Sequence, residues 1–118
     1  QTYRMTMLFD FYGDILTERQ RELFDLYYNE DLSLAEIAEN CGISRQGVRD
    51  VIVRAEAAMN ELEDKTGLLK RFMRMQDSVD AIVAAANEIK TINYRQYENH
   101  RLEELADSII AGAGVLKE

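Results

Sequence analysis

Residues 33–56, SLAEIAENCGISRQGVRDVIVRAE, decide the fold. In Ser33-Leu34-Ala35-Glu36 the serine hydroxyl and the glutamate carboxylate are spaced to bond each other's backbone N–H, a capping box that opens a short helix carrying Leu34, Ile37 and Ala38. A tight turn follows at Asn40-Cys41-Gly42. Ser44 then caps a long helix with core positions Val48, Val51, Ile52, Ala55, Met59 and Leu62. Two short helices that cross steeply through a tight turn need a small residue where they meet, glycine where φ turns positive, and apolar residues around both. Ala38, Gly42, Ile37, Ile43, Val48 and Val51 fill those places, with Cys41 inward beside them. A chance helical hairpin with a glycine turn would share part of this pattern but rarely all of it, so the segment reads as a helix-turn-helix.

The pattern continues in both directions. Upstream, Leu8, Phe11, Tyr12 and Ile15 form an apolar stripe from Tyr3 onward, and Gly13 is a stop. Thr17 and Gln20 make another capping box before Leu23, Phe24, Leu26, Tyr27 and Tyr28. Downstream, Asp64-Lys65-Thr66-Gly67 interrupts the long helix. The next helix, Leu68 to Ile89, carries Phe72, Met75, Val79, Ile82, Ala86 and Ile89 in alternating steps of three and four, the seam of a helix that packs on a partner helix. A polar stretch, Lys90 to Asn99, precedes a last amphipathic helix with Leu102, Leu105, Ala106, Ile109 and Ile110, and Gly112 and Gly114 imply a frayed tail. The expectation is an all-α protein: a helix-turn-helix domain over residues 1–66, and a C-terminal helical extension over 67–118 that packs on it or on a partner chain.

Composition agrees with that class. The 118 residues include no proline or tryptophan, and 47% are hydrophobic and 31% charged, enough for a single core. No apolar run approaches the roughly 20 residues that span a bilayer, and Gln1 to Asp10 lacks the features of an export signal, so a cytoplasmic protein with no membrane span is expected. One cysteine and one histidine, Cys41 and His100, cannot build a structural zinc site, and no phosphate loop or nucleophile–base pairing occurs. The expectation is no enzyme, no metal and no cofactor. Cys41 reads as a small core residue, His100 as exposed, and Met5, Met7, Met73 and Met75 as core filler.

The stretch Leu16 to Glu56, with Leu16-Thr17-Glu18-Arg19-Gln20, Leu32-Ser33-Leu34-Ala35-Glu36-Ile37-Ala38-Glu39 and Gly42-Ile43-Ser44-Arg45-Gln46, resembles region 4 of bacterial sigma factors. It is still more similar to the small YlxM-like proteins, typically encoded beside the targeting GTPase of the signal recognition particle. The resemblance covers Met5 to Tyr12, the helix-turn-helix and the long helix, about half the chain. It implies a regulatory DNA-binding protein of sigma-4-like fold, connected with the signal recognition particle pathway.

Independently of that resemblance, a 100° wheel places Val48, Val51, Ile52 and Ala55 on one side of the helix that begins at Arg45. Gln46, Arg49, Asp50 and Val53 lie on the other, with Arg45 and Arg54 at the flanks. Arg45 and Arg49 have the fork that reads guanine, Gln46 suits adenine, Val53 suits a thymine methyl, and Ser44 at the helix N-terminus suits a phosphate. Gly47 permits either close backbone approach to a ligand or tight packing. Opposing this face are 22 acidic residues against 14 basic, a net charge of −8, which repels nucleic acid. Double-stranded DNA is therefore expected to be bound by a homodimer, which joins two weak faces. The alternative is a protein-docking module that keeps the same fold and offers acidic surface, Glu36 and Glu39 included, to a polymerase or signal recognition particle component.

Overall fold

A computed structural model describes residues 2–117. Among them are six α-helices and no strand: α1 (Thr2–Tyr12), α2 (Glu18–Tyr28), α3 (Leu34–Cys41), α4 (Arg45–Thr66), α5 (Leu68–Ile92) and α6 (His100–Leu116). The chain divides into two compact units, the first ending at Lys70 and the second beginning at Arg71.

In the first unit α4 is the spine, and α1, α2 and α3 all pack on it. Its early turns bury Val48 and Ile52 against Leu23, Ile37 and Ala38. Its later turns bury Ala55 and Met59 against Met5, Leu8, Tyr12, Leu16, Phe24 and Leu69. Each large side chain removed from water contributes about 1.5–3 kcal/mol, and together they offset the entropy of ordering four helices.

The inward line of α1 differs from the expected stripe. Met5, Leu8, Tyr12 and Leu16 are buried, whereas Phe11 and Ile15 are exposed. The buried line Met5, Leu8, Tyr12 and Leu16 advances in steps of three and four, so it passes through Tyr12 and Leu16 rather than Phe11 and Ile15, with a 3-10 turn, Gly13–Ile15, between the two. Glycine leaves room there: a Cβ on Gly13 would press at 3.3 Å on the Phe9 ring, which stacks on Phe24 with centroids 4.8 Å apart.

The helix starts follow local chemistry. Both capping boxes form: Thr17 Oγ1 accepts from Gln20 N at 3.1 Å while Gln20 Oε1 accepts from Thr17 N at 3.0 Å. Ser33 and Glu36 do the same at 3.1 and 2.9 Å. At the corner between α4 and α5, Gly67 adopts φ 62°, and the Glu63 carboxylate reaches across it. That carboxylate accepts from the backbone amides of Leu69 (2.9 Å) and Lys70 (3.1 Å) and from the Tyr12 hydroxyl (2.6 Å). One acid from α4 therefore caps α5 and ties α1 to the corner.

In the second unit α5 and α6 form an antiparallel hairpin. Ion pairs run from Lys90 to Glu103 and Asp107, and from Lys117 to Asp80, while Val79, Ala86, Ala106 and Ala113 are almost fully buried. The polar stretch expected from Lys90 onward is shorter than the sequence implies. Helix α5 runs on to Ile92, a π-turn covers Asn93–Tyr97, and Glu98 takes φ 48°. Buried Asn93 closes the loop, donating to Asn99 O and accepting from Asn99 N, both at 2.8 Å, while Asn99 Oδ1 caps α6. Nor does α6 fray at its glycines. It continues to Leu116, because buried Ala113 and the Lys117–Asp80 pair offset the roughly 1 kcal/mol each glycine costs a helix.

Candidate nucleic-acid interface

The turn between α3 and α4 is built as its residues require. Gly42 sits at φ 70°, ψ 30°, and its amide and that of Ile43 both donate to Ala38 O, at 2.9 and 3.2 Å. These bonds close the end of α3 and swing the chain into α4, whose third amide, Gly47 N, donates to Ser44 Oγ at 2.9 Å. Ile37, Ala38 and Val48 are buried, and Ile43, Val51 and Cys41 are half-buried against the same cluster.

On the opposite side of α4, Ser44, Arg45, Gln46, Arg49, Val53 and Arg54 are all exposed. Neither Arg45, Arg49 nor Arg54 forms an ion pair among the described residues. Arg49 lies on the outward face with Arg45 and Arg54 on its two flanks, and Leu34, Ser44, Arg45, Gln46 and Arg49 line a shallow groove at its start. Two details qualify the face. The Gln46 amide donates to Asp50 at 2.8 Å, so it is already engaged, and Ser44 Oγ is occupied by its own helix. Gly47 is explained by packing, since a Cβ there would lie 3.2 Å from Ser44 Oγ.

The acidic rim is less open than its composition implies. The Glu36 carboxylate is turned back onto the start of α3, and its bonds with the Ser33 backbone and hydroxyl hold its pKa below the usual carboxylate range. It is a capping group, so replacing it would test the helix rather than a docking surface. Glu39 is exposed, a turn further along.

A support behind this face is not apparent from apolar patterning. The Tyr28 hydroxyl of α2 donates to the Glu56 carboxylate of α4; burial, then that bond and charge, push the phenol pKa well up. Tyr27, Tyr28, Leu34, Arg49, Ile52, Val53 and Glu56 line the recess beneath. Tyr27 and Tyr28 read in the sequence simply as apolar helix positions; only a carboxylate less than one turn past Val53 hints at the second role.

His100 is exposed and faces Glu104 at 3.7 Å. No group of three or more potential metal ligands occurs among the described residues, and no helix is long and apolar enough to cross a membrane.

Comparison with known proteins places this geometry in a family. A UPF0122 protein of Acetivibrio thermocellus is 36% identical over 115 residues, covering 92% of this chain and 98% of its own. One from Bacillus thuringiensis is 41% identical over 109 residues, covering 92% and 94%. Another, from Thermoanaerobacter sp. (strain X514), is 50% identical over 78 residues, covering 66% and 67%. The family profile described as "Putative helix-turn-helix protein, YlxM / p13 like" matches residues 1–107, and with relatives this similar along most of its length, the chain belongs to the UPF0122 family of YlxM/p13-like helix-turn-helix proteins.

Proposed function

We propose that this protein is a DNA-binding regulator that reads the major groove with the outward face of α4 and acts in the cytoplasm as a homodimer. The observation that carries the reading is that Arg49 on the outward face and Arg45 and Arg54 on its flanks are exposed and without ion pairs among the described residues, on the second helix of a helix-turn-helix. In this reading Arg49 forks to a guanine, Val53 meets a thymine methyl, and Arg45 and Arg54 hold the phosphates on either side. Components of the signal recognition particle are the protein partners that the sequence resemblance implies.

The test is selection of duplexes from a random pool at low salt, followed by titration by fluorescence anisotropy. Arg49→Ala should cost about 1–3 kcal/mol on the selected site and relax choice at one base pair. Replacing Arg45 and Arg54 together should weaken all duplexes alike and flatten the salt dependence. The overall charge of −8 favours the alternative of a docking module. If nothing is enriched above background with folded protein, and Glu39→Lys abolishes function in cells while the arginine changes do not, the docking reading replaces this one.

A further inference from the structure

Gln46 stands at the centre of the outward face of α4. On a 100° wheel it falls opposite Val48, Val51, Ile52 and Ala55, the residues that hold the helix down. It also lies in the first turn, the part of the second helix of a helix-turn-helix that meets base edges. The residue is exposed, and on one side it lines the shallow groove shared with Arg45 and Arg49. On its other side, one turn on, the exposed Asp50 accepts a hydrogen bond from its amide nitrogen at 2.8 Å.

A freely turning glutamine is an ambiguous reader. Its amide has a carbonyl oxygen that accepts and an NH₂ that donates, and turning it over exchanges the two. Oxygen outward suits the N4 amine of cytosine, nitrogen outward suits N7 and O6 of guanine, and only the two side by side match N6 and N7 of adenine. The Asp50 carboxylate removes that choice. It accepts and does not donate, so it holds the amide nitrogen beside it and repels the amide oxygen. The N–H that points opposite to the C=O is therefore the one it takes. The edge left free carries the oxygen and the second N–H together.

We infer that Asp50 is a positioning residue that makes Gln46 a reader of adenine, by fixing which edge of the amide faces the groove. The inference rests on the DNA reading proposed above and assigns one base of its site. The same carboxylate acts against the alternatives. Guanine presents the acceptors N7 and O6 and thymine the acceptor O4, which a negative charge alongside disfavours, whereas adenine N6 is a donor. Asp50 also opposes phosphates, so it lowers affinity while sharpening choice. This accounts for its place as the single acid among three arginines between Ser44 and Arg54, four residues from Gln46.

The experiment is fluorescence anisotropy on the selected duplex, with each of the four base pairs placed in turn where Gln46→Ala relaxes choice. The wild type should favour adenine there by roughly 5- to 150-fold. It should lose most of that preference when 7-deazaadenine removes N7 or purine removes the N6 amine. Asp50→Ala, checked for folding by circular dichroism, should bind every duplex more tightly through the lost charge, yet lose the adenine preference. Asp50→Asn loses the same charge but keeps an oxygen that accepts, and should retain part of the preference, which separates positioning from charge. Without DNA, nuclear magnetic resonance of isotope-labelled protein should show one of the two Gln46 side-chain amide protons downfield of its position in Asp50→Ala. Four results overturn the inference while the DNA reading stands: a Gln46→Ala variant that relaxes no position, a preference there for another base, an adenine preference intact in Asp50→Ala, or Gln46 amide protons unmoved by that substitution. A folded wild type that binds no duplex overturns both.

Discussion

Replacing Glu63 tests the corner that joins α4 to α5. Its carboxylate is buried and accepts three hydrogen bonds, from the Tyr12 hydroxyl and the amides of Leu69 and Lys70. In Glu63→Ala the hydroxyl keeps a partner, Thr66 Oγ1 at 2.6 Å. The buried Leu69 amide keeps none, at about 1–3 kcal/mol, and the charged bonds to Lys70 and Tyr12 add about 1.5–3 kcal/mol between them once water takes their place. The expected loss is about 3–5 kcal/mol, a large part of the 5–15 kcal/mol that ordinarily separates folded from unfolded. Glu63→Gln should lose less, about 1–2 kcal/mol, because one carbonyl oxygen remains while its NH₂ faces an amide donor. A pH signature separates the carboxylate from mere packing. Burial tends to raise the Glu63 pKa, but the bonds from Tyr12, Leu69 and Lys70 together with the Arg4 charge outweigh it and hold the value below the ordinary one. A depressed folded-state pKa contributes stability that is complete above the unfolded-state value and disappears as pH falls through the folded-state value. Urea unfolding followed by circular dichroism, at neutral pH and in steps into the acid range, should therefore show a decline in the wild type that Glu63→Gln partly lacks. An alanine variant within about 0.5 kcal/mol of wild type, or an unchanged acid slope in the glutamine variant, would refute the argument.

Gly42→Ala should destabilise by about 1–2 kcal/mol through its left-handed backbone alone, since an added Cβ meets nothing within 4 Å; Gly42→Asn should lose less in the same urea titration. Asn93→Ala removes both bonds that close the α5–α6 loop and should cost about 2–3 kcal/mol, read as earlier hydrogen exchange of α6 than of α4. Bonds to Asp107 and then Glu103 raise the Lys90 pKa, so its contribution is present below the unfolded-state value and lost as pH rises through the folded-state one. Lys90→Met should flatten the alkaline decline in stability and its salt dependence.

The legible parts were those in which residue type and local geometry carry the information. Two capping boxes, the Ser44 cap and the glycine turn each depend on contacts within five residues, and each forms where the spacing puts it. Misreadings arose where a phase or a side chain was decided at long range. On α1 both Phe11 and Tyr12, and both Ile15 and Leu16, are apolar neighbours, and which of each pair faces the core is decided by packing against α2 and α4, which periodicity does not fix. Glu63 looks like any solvated acid on a helix until Tyr12, 51 residues away, and the amides of the next helix converge on it. Glu36 looks like available surface charge, yet the same capping box that made α3 legible occupies it. At the candidate interface the outward direction of Arg49 and Val53 follows from the 3.6-residue period, while the engagement of Gln46 by Asp50 depends on rotamers that the period does not fix.

Net charge and local charge act over different distances, which reconciles an acidic chain with a basic face. At physiological ionic strength a charge is screened within about 8 Å, so a phosphate against Arg49 feels Arg45 and Arg54, and Asp50 among the acids, far more than the carboxylates spread over the rest of the surface. Asp50 and Glu36 keep their charge while hydrogen-bonded to Gln46 and to the start of α3, yet from Ser44 to Arg54 three arginines stand against the single acid Asp50, so the balance along this stretch stays positive. Three neutralised phosphates give a salt exponent of only about −2.7, a weak hold for one chain. Two chains double that exponent to about −5.4 and, because the second face binds without a second loss of translational freedom, raise affinity by more than the added contacts alone. The acidic remainder then acts at a distance, disfavouring stray encounters with nucleic acid while leaving a matched pair of half-sites able to hold.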